Sequence, residues 1–136
     1  MLLERGANPN FHSEYTSSSL IEATENGRVR IIELLLENNA DINIRNFRGQ
    51  TALMIASLMG YGYIVYLLLE KGADPNITDF SGQTPLMIAL QKGHTEIARF
   101  IREHIDLQRI QRAQQNLAFM KYFLDRDDLD LSLIHI

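Results

Sequence analysis

Apolar residues fall along the chain in short clusters separated by polar, glycine-bearing turns, and the clusters return at a constant interval. Ile31, Ile32, Leu34, Leu35 and Leu36 form one cluster; Ile64, Val65, Leu67, Leu68 and Leu69 form the next, each at helical spacing. Thr51 and Thr84, Gly49 and Gly82, Leu53 and Leu86, and Ala56 and Ala89 are pairs 33 residues apart. Gly27, Gly60 and Gly93 keep the same step, as do Ala7, Ala40 and Ala73, and Asn10, Asn43 and Asn76. One such pair would be coincidence. This many in a single register make an internal repeat.

Each unit reads as two helices plus punctuation. Thr84 followed by Pro85 is a helix start: the threonine caps, and proline has a helical φ and lacks only a donor that is orphaned there anyway. Gly60 and Gly93 close the first helices, where a left-handed residue commonly ends a helix. The cluster Gly72-Ala73-Asp74-Pro75-Asn76 and the triplet Phe80-Ser81-Gly82 are turn chemistry. A helix pair this small cannot hide both its apolar faces. Stacked on copies of itself it can, which predicts a quasi-one-dimensional protein.

The run from Asp79 to Ala98, with Gly82-Gln83-Thr84-Pro85-Leu86 and Gly93-His94 at its centre, resembles the ankyrin repeat family. So does Leu67-Leu68-Leu69-Glu70-Lys71-Gly72-Ala73-Asp74-Pro75-Asn76. The resemblance covers roughly residues 1–106. It implies an all-α repeat solenoid of helix-loop-helix units with β-hairpin fingers. Departures are local. Met54 and Met87 stand where the family has a histidine, and Ser18-Ser19 replaces Thr-Pro. Thr16 takes the place of the finger glycine, so that finger is expected to be distorted. Asn39 replaces a loop glycine, which asparagine can do because it tolerates a left-handed backbone.

By this register residues 1–11 are a partial repeat, and 12–43, 44–76 and 77–106 are three full ones. Met1-Leu2-Leu3 aligns inside a second helix, so the sequence is expected to be a fragment. After Ile105 the repeat stops. Leu107, Ile110, Ala113, Leu117, Met120 and Leu124 then recur every three or four residues. Residues 107–130 are therefore expected to form a C-terminal helix and an acidic turn. The helix reads first as a capping helix for the last unit, and second as a partner-binding helix. Residues 131–136 spell a translated library adapter and are expected to be non-native.

Composition narrows the chemistry. The 136 residues carry a net charge of −4 and no cysteine, which removes disulfides and thiol catalysis and disfavours nucleic acid. No signal peptide or membrane-spanning run is present in the sequence; membrane insertion is not expected, and an intracellular location is. His12, His94, His104 and His135 lack zinc-site spacing, and Ser17–Ser19 have no catalytic partners in any known motif. The sequence calls for no catalytic residue, metal or cofactor.

The resemblance implies that another protein binds the concave face, made by fingertips and exposed first-helix positions. In this chain these are Glu14, Tyr15 and Ser17; Arg45, Phe47, Arg48 and Gln50; Thr78, Phe80, Ser81 and Gln83; and, on the first helices, Glu25, Asn26, Leu58, Met59, Gln91 and Lys92. Phe47 with Arg48 is the leading anchor pair, because exposed aromatic and arginine side chains dominate binding hot spots. Phe47 and Phe80 serve equally well as braces between fingers. The complete protein is expected to be a monomeric, non-enzymatic interaction scaffold. A substrate-recruiting region of a larger enzyme or degradation adaptor is the alternative.

Overall fold

The computed structural model describes residues 13–124, all helix, turn and loop. The expected partial first repeat, the acidic turn and the adapter-like tail lie outside the described residues. The helices are α1 (Ser13–Glu25), α2 (Val29–Glu37), α3 (Ala52–Met59), α4 (Gly62–Glu70), α5 (Pro85–Gln91) and α6 (Thr95–Leu124). The chain divides into two compact units, Met1–Arg102 and Glu103–Ile136.

In the first unit the first helices of successive repeats pack side by side, α1 on α3 and α3 on α5, and α1 and α3 each pack on their own second helix. The same positions of each repeat build the core. Leu20 and Leu53, then Ala23, Ala56 and Ala89, then Ile32, Val65 and Ala98, then Leu35, Leu68 and Ile101 are all buried at the 33-residue step. The alanines let helix backbones approach; the branched residues between them fill the space. Burial of a leucine or isoleucine is worth roughly 1.5–3 kcal/mol, so this recurring set holds the stack together.

Helix ends follow the punctuation. Thr51 and Thr84 are extended and accept hydrogen bonds from the Met54 and Met87 amides through their side chains. Asn39 is left-handed at φ 67°, as expected where Gly72 stands one repeat later. Thr24 and Ser57 are buried hydroxyls at equivalent positions. Each donates to the carbonyl four residues back, Leu20 and Leu53, so neither is left unsatisfied.

No strand occurs among the described residues, and the two fingers described there are tight turns. One expectation is corrected. Glu14, Tyr15 and Ser17 lie in α1, not in a finger. Gly49 and Gly82 turn their fingers at φ 76° and 81°. Their counterpart is Thr16, and a β-branched residue pays heavily for that left-handed conformation. The backbone stays helical instead.

Candidate functional site

Each fingertip is a five-residue turn organised by one side chain. In the first, the Asn46 amide donates to the Gln50 carbonyl at 2.9 Å and the Gly49 amide to the Asn46 carbonyl at 2.9 Å. Asn46 Oδ1 accepts from the Arg48 and Gln50 amides, both at 2.9 Å. Asp79 does the same in the second, accepting from the Ser81 and Gln83 amides at 2.9 Å. Such side-chain-to-backbone turns hold a loop without help from a sheet.

The two fingers are fastened to each other. The Phe80 amide donates to the Arg48 carbonyl at 3.1 Å. Arg45 Nε donates to the Gly49 carbonyl at 3.2 Å, and its Nη2 donates to the Thr78 carbonyl. The second of these bonds joins residues 33 apart in sequence, Arg45 and Thr78, and so ties one finger to the next. The Arg45 guanidinium also lies 5.6 Å from the Phe80 ring centroid. A Cβ on Gly49 would come within 2.7 Å of the Phe80 ring, so that ring rests directly on the neighbouring glycine.

This geometry separates the two phenylalanines. Phe80 braces one finger on the next, although 73% of its surface remains open. Phe47 is 83% exposed and has the guanidinium of its own Arg48 5.4 Å from its ring centroid. Beside them on the first helices, Met59 is exposed and Leu58 half-buried. Gln83 Nε2 donates to Gln91 Oε1 at 3.0 Å, linking the second finger to α5. Arg48, Thr78, Ser81, Gln91 and Lys92 are exposed, and Gln50 and Gln83 are half-buried. The exposed apolar groups are therefore Phe47 and Met59, with Phe80 presenting its outer ring face.

A second recurrent contact locks α3 to its neighbours. The Tyr61 ring lies over Gly27, and its hydroxyl donates to the Glu25 carbonyl at 3.3 Å. One repeat later the His94 ring lies over Gly60, with Nε2 3.2 Å from the Leu58 carbonyl. Both rings satisfy a carbonyl near the end of the preceding first helix, a group left over by helix termination. His94 is thereby accounted for as a structural residue.

Some exposed apolar residues escape a reading by period alone. Met87 and Leu90 on α5 are 52% and 48% exposed, whereas Met54 and Ser57 at the same positions of α3 are fully buried under α5. Tyr63 and Tyr66, with ring centroids 6.4 Å apart, stand where the flanking repeats have the pairs Arg30–Glu33 and Glu96–Arg99. Tyr66 also meets Phe100 at 5.7 Å. A charged pair replaced by an aromatic pair at one step of the repeat was the available signal.

The model for ankyrin repeats, in three copies, matches residues 1–79 and 45–111. The chain belongs to the ankyrin repeat family. A comparison with curated proteins finds no match. Ankyrin repeats generally mediate protein–protein interaction and are typically non-catalytic modules. No helix among the described residues is long and apolar enough to cross a membrane.

Proposed function

We propose that this ankyrin stack is a non-catalytic scaffold that binds another protein on its concave face, through the fingertips and the adjoining ends of α3 and α5. The observation that carries this reading is Phe47. It is a large ring at 83% exposure on a finger held rigid by Asn46 and Arg45, so it can be buried by a partner at little ordering cost. Met59 extends the apolar part of the surface, and Arg48, Gln91 and Lys92 give it a polar rim. The mixed polar character of that rim favours a folded protein or peptide over nucleic acid, which would need a stronger positive field.

The double variant Phe47→Ala with Met59→Ala tests the proposal. Both side chains are exposed, so the thermal midpoint should move little. Affinity for the partner should fall at least tenfold, since central apolar anchors typically contribute more than 1 kcal/mol each. Loss of thermal stability with unchanged binding would make these residues packing elements and remove the proposal.

A further inference from the structure

Within the second compact unit, the helical residues 107–124 carry an apolar seam of their own. Ile110, Ala113, Leu117, Met120 and Leu124 alternate at three and four residues, the spacing of a two-heptad stripe. Ile110, Leu117 and Met120 are more than half exposed, as is Leu107 at its start.

The charges around the seam point to what covers it. Residues 107–124 contain three basic side chains, Arg109, Arg112 and Lys121, and no acidic one. Arg109 immediately precedes Ile110, and Lys121 immediately follows Met120. These are the flanking positions at which paired helices exchange salt bridges. Gln108, Gln111, Gln114, Gln115 and Asn116 add neutral polar groups along the helix, and Phe119 and Tyr122 are further exposed rings outside the stripe.

We propose that residues 107–124 are a docking helix for an amphipathic helix of a partner protein whose apolar seam is flanked by carboxylates. A second copy of this chain fits less well. Two identical seams bring only positive flanks together and form no ion pair across the interface. An anionic lipid surface also fits less well. Three cations are few for a membrane-surface helix, and Asp125, Asp127, Asp128 and Asp130 come directly after it in the sequence. A partner helix can end short of those aspartates; a continuous lipid surface cannot. This proposal uses neither Phe47 nor Met59, so either reading can hold without the other.

The test uses the whole chain and two designed three-heptad peptides with leucine seams, one flanked by glutamate and one by lysine. The glutamate peptide should bind at least tenfold more tightly at low salt, and its advantage should shrink at high salt. Leu117→Asp should abolish binding without shifting the thermal midpoint, because Leu117 is exposed. Arg109→Glu with Lys121→Glu should transfer the preference to the lysine peptide, while Phe47→Ala with Met59→Ala should leave it unchanged. Equal affinity for the two peptides, or binding to neither, overturns the proposal. So does a wild-type chain that sediments as a dimer dispersed by Leu117→Asp, or one that binds phosphatidylserine vesicles through the same residue.

Discussion

Met54→Ala is expected to lower the unfolding free energy by about 2–5 kcal/mol, and Met87→Ala by less than about 1 kcal/mol. The two methionines occupy the same position of successive repeats, on helices with the same threonine cap. They differ in what lies above them. Met54 is fully buried in the α3–α5 interface, so truncation leaves a cavity that the packed helices cannot easily close. Met87 has 52% of its surface in solvent, and truncation there leaves no enclosed cavity. Chemical denaturation of the two variants beside the wild type measures the difference. Equal losses would mean that α5 is covered on its far side as α3 is.

Gly60→Ala should cost about 2–4 kcal/mol, against about 1–2 kcal/mol for Gly93→Ala. Both glycines end first helices with nearly the same left-handed backbone, φ 79° and 77°. The backbone penalty is therefore common to both. At Gly93 an added methyl meets nothing within 4 Å; at Gly60 it comes within 2.8 Å of the His94 ring. That ring cannot swing away without giving up its 3.2 Å hydrogen bond to the Leu58 carbonyl, so the methyl costs a contact and a bond together. A double-mutant cycle with His94→Ala isolates the second part. If the excess persists after the ring is removed, it arises elsewhere.

The repeat was legible because its residues do separate physical jobs at fixed offsets. Thr51 and Thr84 cap, Gly60 and Gly93 turn, and Leu53, Ala56, Val65 and Leu68 fill the core. A period in sequence becomes a period in space when each of those jobs recurs. What the period does not carry is the identity of the neighbour. It placed Phe47 and Phe80 on equivalent finger positions and left their roles open. They differ because Phe80 has Gly49 beneath it and Arg45 beside it, a fact about the preceding finger.

The same limit explains the remaining differences. Thr16 marked a finger that had lost its glycine, but not that the segment would stay in α1. Helical spacing in residues 107–124 identified an apolar stripe, yet spacing is blind to whether anything lies against it. Met87 and Leu90 kept the pattern of a buried helix, yet 52% and 48% of their surfaces are exposed. Exposure at the end of a stack depends on the neighbouring unit, which no single repeat encodes.

The proposed function is tested most directly by photo-crosslinking from single sites in the intact chain, with a photoreactive residue at position 47 or 59 and, as a control, at the exposed position 63 on α4. A partner held on the fingers and first helices should form adducts from 47 and 59 and none from 63. Adducts from 63 alone would place the partner on the second helices and contradict the account.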